Sequence, residues 1–317
     1  MANTKEISRR IKSISSTKKI TKAMEMVAAA KMRKAVEAVL KTRTYANLSW
    51  ETVLHLANLA QSKNETLHPL LIPRAEVKKV AVIVVTSNRG LCGGFNSAII
   101  AKTKESIKKH NLPTDIILVG KKGVPLIQAG YNVAAEFTKS DLILSAAETT
   151  PIARMAVSEY LAGKYDKVML AYTDFVSAVK QVPRVKQLLP IEVDTIDEYL
   201  GVMGKNEEVG MSKEYLEEKS KKHLSAGEFI YDYTFEPSPN EVLDRIVPRL
   251  IEVQLYQALL ESSASEHSAS MAAMHQATEA ASDMMSELTL FYNKARQASI
   301  TAEIAEISAG ANALAEN

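Results

Sequence analysis

From Met1 to His68 the chain contains neither proline nor glycine; the first of either is Pro69. Nothing in that stretch stops a helix. Asn3 or Thr4 supplies an N-cap, and Glu6 stands where a capping box places its acid. The expectation is one helix over about residues 3–63, roughly 80–90 Å long at 1.5 Å per residue. An ordinary globular domain has no use for such a helix. Its composition is equally unusual. In IKSISSTKKITKAMEMVAAAKMRKA (Ile11–Ala35) the apolar residues are mostly Ala, Met and Val, and the polar ones nearly all Lys and Arg. Residues 1–43 carry twelve basic residues against three acidic ones, a net +9.

The C-terminal stretch, 239–315, is also helical. Asn240 caps it, and positions from Leu243 to Ala302 in alternating steps of three and four form a heptad seam, interrupted by polar residues such as Gln257, His267 and Thr278. Pro248 lies inside it and predicts a kink in the first turns. Residues 241–317 carry four basic residues against eleven acidic ones, a net −7. The two ends are therefore electrostatic complements, hidden in a total of only +2. Antiparallel pairing within the chain is the economical arrangement, with an α/β domain at one end of a rod. The longer C-terminal helix then projects its tip, ASITAEIAEISAGANALAEN, which is either a slim pin entering a sleeve or a fraying terminus.

Between the helices the period changes. VKKVAVIVVTS (Val77–Ser87) is a buried strand, followed by DIILVG (Asp115–Gly120) and DKVMLAYTDF (Asp166–Phe175). Helical stretches at about 95–110, 121–130 and 149–163 alternate with them. AVKQVPRVKQLLP (Ala178–Pro190) has Pro183 inside it, as an edge strand does. Strand–helix–strand alternation predicts a mostly parallel sheet with helices packed on it. Residues 191–229 are polar and Lys/Glu-rich, an insertion with one short helix (Ser212–Lys222). The fold class is thus α/β: a long antiparallel coiled coil of the N- and C-terminal helices plus a small α/β domain. The expected division is 1–70, first coiled-coil helix; 71–190, α/β domain; 191–238, insertion and foot; 239–317, second coiled-coil helix.

Chemistry finds little purchase. TSNRGLCGGFN (Thr86–Asn96) joins a strand to a helix, where anion-binding loops sit. The P-loop requires Lys-Ser/Thr where this chain has Phe95-Asn96, and G-x-G-x-x-G is absent. Gly90, Gly93 and Gly94 fit a tight turn and close helix packing better than a phosphate cradle. Cys92, the single cysteine, permits no internal disulfide and suits a reducing compartment; without a nearby His it reads as a structural thiol. The six histidines show no metal-ligand spacing. No catalytic residue, cofactor or metal is expected. The basic helix lacks the aromatics a nucleic-acid or membrane surface favours, so no nucleic acid is expected as partner. No run of 18 apolar residues exists for membrane insertion, and no apolar core of a secretory signal follows the basic start. A transit peptide over 1–24 competes weakly, because the helical pattern continues past residue 40 without a small-residue cleavage site.

Four separated stretches, in order, resemble the gamma subunit of F-type ATP synthases: Ile7–Ala35, Thr86–Asn96, Ser265–Met284 and Leu290–Leu314. The resemblance implies a central rotor stalk of bacterial type. Its coiled coil would pierce a hexamer of alternating alpha and beta subunits, and its α/β domain would stand on the membrane c-ring beside epsilon. Ion flow, of protons or sodium, would turn ring and stalk and drive the beta sites through their states. Lys18, Lys22, Met24 and Met26 match the stretch facing the beta lever loops. Arg296, Gln297, Thr301 and Glu303 match the segment near the bearing. Tyr233 and Glu236 match the foot near the ring and epsilon, and Arg89, Gly90, Cys92 and Gly93 belong to the signature loop. Ser270 stands where the family usually has Arg, and Ala280 where it has Asn. Chloroplast members carry a regulatory cysteine pair at the insertion; this chain has none there. The implied location is peripheral, on the cytoplasmic face of the bacterial plasma membrane. The competing expectations are a self-associating coiled-coil scaffold and a nucleotide-binding enzyme on the α/β domain.

Overall fold

A computed structural model describes residues 4–62, 68–140, 145–191 and 239–315. The chain forms two compact units, one of Met1–Ala28 with Ser270–Asn317, the other of Ala29–Ala269. The elements run α1 (Thr4–Ser62), β1 (Val80–Val85), α2 (Phe95–His110), β2 (Thr114–Val119), α3 (Val124–Gln128), β3 (Asn132–Phe137), α4 (Thr150–Leu161), β4 (Lys167–Phe175), β5 (Gln181–Leu189) and α5 (Pro239–Ala315). The helix expected without a breaker runs 59 residues, and the C-terminal one 77, continuous through Pro248.

In the larger unit the strands lie in the order β3-β2-β1-β4-β5. β1 pairs in parallel with β2 and β4, β2 in parallel with β3, and β5 antiparallel with β4. This is the mixed, mostly parallel sheet that the alternation predicts. β1 is buried at every residue because both faces are covered. Val80, Val82 and Val84 pack with Ile99 and Ile100 of α2 and Leu126 of α3. Ala81, Ile83 and Val85 join a larger core with Ile152 and Tyr160 of α4, Val39 of α1, and Leu250, Leu255 and Leu259 of α5. Pro183 sits on β5, opposite Thr173, in a strand paired on one side only.

One strand escapes the sequence reading. β3 (NVAAEF) is half-buried at the other edge, and its two alanines have little strand preference. What places it is the parallel pairing of Asn132–Phe137 with β2, a tertiary contact.

The middle of α5 is buried all round, polar residues included: Gln254, Gln257, Glu261, Ser262, Ser263, Ser265, His267 and Ser268. Several of these find partners inside the unit, whereas the Ser262 and Ser263 hydroxyls have none among the described residues. Thr42 Oγ1 donates to Gln257 Oε1 at 2.8 Å, and Gln257 Nε2 to Glu261 Oε1 at 3.0 Å. Leucines drive this stretch of α5 into the core; hydrogen bonds fix how it sits there.

Candidate functional site

The smaller unit is a helix pair with a polar middle. On α1 the inward residues are Ile7, Ile11, Ile14, Lys18, Thr21, Glu25 and Ala28, in alternating steps of four and three, all half-buried or buried. On α5 they are Met274, Thr278, Ala281, Met285, Leu288, Tyr292 and Ala295. Thr278 Oγ1 donates to Thr21 Oγ1 at 2.8 Å, and Lys18 Nζ to Ser282 Oγ at 3.0 Å. His275 Nδ1 lies 3.3 Å from Glu25 Oε1. The paired residue numbers sum to 299 or 300, so within this unit the helices are antiparallel and in register. Ala and Thr alone would slide past one another; directional polar contacts fix the stagger. Glu25 also takes hydrogen bonds from Lys22 Nζ at 3.0 and 3.1 Å. These hold its carboxyl below the ordinary value, with a smaller contribution from His275. A groove of about 680 Å³ follows the pair, walled by Lys18, Lys19, Lys22 and Met26 on one side and His275 and Glu279 on the other.

The outward surface of α1 is apolar and positive together. Ile20, Met24, Met26 and Val27 are exposed among Lys19 and Lys22. On α5, Met284, Leu290, Phe291, Ile300, Ile304 and Ile307 are exposed, Ile304 by 62%. Exposed apolar residues this numerous mark a surface that meets other protein.

In the larger unit, the loop after β1 stands where the sheet order reverses between β1 and β4, the crevice in which doubly wound sheets take ligands. Here its own side chains close it. Ser87 N–H donates to Asn96 Oδ1 at 3.0 Å, Asn96 Nδ2 donates to Ser87 Oγ at 2.7 Å, and Ser87 Oγ to the Arg89 carbonyl at 2.6 Å. Cys92, 3% exposed, sits beneath this ring with Asn96 Nδ2 at 3.1 Å from its sulfur. Burial pushes its thiol above the ordinary value, and the Ser87 contact offsets part of that; it is a packed thiol. Of the three loop glycines only Gly93 is left-handed, at φ +53°, close to the carbonyl of Ala269 on α5. A Cβ would fit at Gly90 and at Gly93 alike, so the backbone conformation, and not close packing, accounts for Gly93. Leu91 is left-handed as well.

The residues singled out from sequence thus fall in separate places. Lys18 points into the seam, whereas Lys22, Met24 and Met26 face outward. Arg296, Gln297, Thr301 and Glu303 are all exposed on α5. Arg89, Gly90, Cys92 and Gly93 belong to the closed loop. Ser270 is half-buried and Ala280 exposed on α5. Tyr233, Glu236 and the helix expected at Ser212–Lys222 lie outside the described residues. Among the described residues no group of His, Cys, Asp and Glu is arranged to hold a metal, and no helix is long and apolar enough to cross a membrane. Sequence reasoning missed the inner seam of α1, whose four–three spacing was visible but whose Lys18, Thr21 and Glu25 disguised it. It also missed Lys139 and Glu266, which pair across 127 positions.

Comparison with known proteins defines the class. A family model described as ATP synthase matches residues 3–314. The curated relatives narrow this further. The chain is 42% identical over 315 residues to the ATP synthase gamma chain of Pelotomaculum thermopropionicum, covering 99% of this chain and 100% of that one. It is 41% identical to that of Dehalococcoides mccartyi, with the same coverage. The chain belongs to the ATP synthase gamma chain family. Among solved structures it is similar to a chain of the Tetrahymena thermophila mitochondrial ATP synthase central stalk and c-ring, at 25% identity and TM-score 0.56, covering 81% of this chain and 99% of that one. It also shares its fold with a chain of the Euglena gracilis mitochondrial ATP synthase OSCP/F1/c-ring assembly, at 17% identity and TM-score 0.61, over 98% and 94% of the two chains.

Proposed function

We propose that this chain is the central rotor shaft of an ATP synthase. It couples ion flow through a membrane c-ring to the conformational cycle of catalytic beta subunits. The observation that carries the proposal is full-length membership of the gamma chain family combined with a registered helix pair whose α1 outer face is apolar and basic. Lys22, Met24 and Met26, with Lys18 beside them, meet the beta subunits along α1. Arg296, Gln297, Thr301 and Glu303 meet the alpha–beta hexamer near the bearing, and Tyr233 and Glu236 meet the c-ring and epsilon. Residues 1–70 and 239–317 serve as shaft, 71–190 as head, and 191–238 as insertion and foot.

The chain contributes no catalytic group of its own. ATP is made on the beta subunits, and the shaft supplies asymmetry and torque. It works as a peripheral subunit on the cytoplasmic face of the bacterial plasma membrane. The test is reconstitution: the complex assembled with this chain, in vesicles under an imposed ion gradient, makes ATP, and the purified chain alone neither makes nor hydrolyses it. Gradient-driven synthesis by a complex assembled without the chain would overturn the proposal.

A further inference from the structure

At one level of α5 the sheet unit takes hold of the helix with directional contacts. Ser265 Oγ donates to the Thr173 carbonyl on β4 at 3.3 Å. Ser268 Oγ donates to the Ala178 carbonyl in the β4–β5 hairpin at 2.6 Å and receives Gln181 Nε2 at 3.2 Å. Glu266 Oε2 pairs with Lys139 Nζ at 2.7 Å, and the Lys139 side chain is only 2% exposed. Asn88 Nδ2 donates in turn to the Lys139 carbonyl, bracing it against the loop after β1. The gripping groups lie beyond the C-terminal ends of β3 and β4, or near that of β4. Those ends line the crevice that other doubly wound sheets offer to a small ligand. Here the crevice holds a helix of the same chain.

At 100° per residue, Ser265, Glu266 and Ser268 span roughly 160° of the circumference of α5. The other side at this level carries Ala264 and His267, both buried. Apolar packing alone resists separation but permits a helix to turn by exchanging rotamers. Hydrogen bonds and an ion pair with fixed partners on three segments resist turning. We infer that these contacts form a torsional collar locking α5 to the α/β sheet, and that the Lys139–Glu266 pair is its key, a positioning pair for torque transfer. This rests on the rotor proposal. It also accounts for a buried ion pair that stability alone does not favour, since well-packed apolar replacements of such pairs are often neutral or stabilising.

That property supplies the test. In the whole complex, reconstituted in vesicles, ATP hydrolysis and the membrane potential it generates are measured together with a voltage-sensitive dye. The double variant Lys139→Met/Glu266→Met is expected to melt at or above the wild-type temperature. It should hydrolyse ATP normally and generate less than about half the wild-type potential per ATP, and the swapped pair Lys139→Glu/Glu266→Lys should recover part of it. A Met/Met complex with unchanged melting and unchanged potential per ATP overturns the collar. If Met/Met does not assemble, Ser268→Ala with Gln181→Met, which releases only the hairpin grip, carries the same expectation and the same refutation. A wild-type complex that hydrolyses ATP without generating potential would count against the rotor proposal instead.

Discussion

Gly120, immediately after β2, has φ +96° and ψ 157°, a region essentially reserved for glycine. A Cβ placed there would lie 2.4 Å from the Thr86 carbonyl oxygen and 2.9 Å from its carbon. Both atoms are backbone, so no side chain can swing aside. Gly120→Ala therefore moves β1 away from the end of β2, or moves β2 itself. Either shift strains the Thr86 N–H···O=C Val119 bond at 2.8 Å and the Gly120 N–H···O=C Phe137 bond at 2.9 Å. Backbone strain of about 1–3 kcal/mol and two hydrogen bonds of about 0.5–1.5 kcal/mol each give a loss of about 2–6 kcal/mol. That is a large fraction of the whole stability of a domain, about 5–15 kcal/mol. Gly130→Ala is the control: its φ is +85°, but nothing lies within 4 Å of the added Cβ. It should cost only the conformational term, about 1–2 kcal/mol.

The assay uses a reporter already present. Cys92 is the single thiol of the chain and is buried under the loop that Thr86 begins. Displacing Thr86 unpacks Ser87 and Asn96, the two residues that cover the sulfur. Under native conditions Gly120→Ala should label with a thiol reagent much faster than wild type, and Gly130→Ala at nearly the wild-type rate. Urea denaturation should rank the two in the same order. Equal labelling of the two variants would refute the argument, because it would mean that the clash at Thr86 is relieved without moving the loop.

Other outcomes follow from the same geometry. Burial holds His68 neutral below its ordinary value, with Asp244 offsetting part of the shift; Nδ1 accepts from Leu70 N–H at 3.2 Å and Nε2 donates to Asp244 at 3.2 Å. The unfolded chain takes up a proton near pH 6.5 that the folded one resists, so stability present above that pH is lost as pH falls, and His68→Gln should flatten the melting temperature between about pH 7.5 and 5. Asp166 accepts from the Lys78 and Lys79 amides at 2.8 and 3.0 Å and from Arg74 at 2.9 Å, bonds that hold its carboxyl below the ordinary value. Asp166→Asn should cost about 1–3 kcal/mol in urea denaturation at neutral pH, a penalty that shrinks as acid protonates the wild-type carboxylate. Lys22→Ala and Arg296→Ala remove exposed side chains, so stability should change by less than about 0.5 kcal/mol while gradient-driven ATP synthesis by the complex falls. A drop in synthesis matched by a drop in melting temperature would assign those residues to folding instead.

What was legible in the sequence was whatever a local pattern encodes. The absence of helix breakers before Pro69 marks α1, the three–four seam marks α5, and the β-branched run at Val80–Val85 marks a strand covered on both faces. Each is periodicity, which survives without knowledge of neighbours. β3 was not legible, because an edge strand of Asn, Val, two Ala, Glu and Phe is specified by β2 and by nothing in itself. The site divides the same way. The resemblance to the gamma family put Lys18, Lys22, Met24 and Met26 together on one contact face, and the structure leaves Lys22, Met24 and Met26 exposed. The direction of Lys18 was not legible, because a lysine in a seam looks like a lysine on a surface until Ser282 is known to stand opposite it. The collar lies furthest from sequence reasoning. Lys139 follows an edge strand with no pattern, and Glu266 sits beside a heptad position rather than on one. Their pairing depends on β3 and α5 both reaching the C-terminal edge of the sheet. Periodicity describes how a helix is built, whereas a grip on that helix is made of single residues brought from distant segments. The second can be found only once the first has been folded.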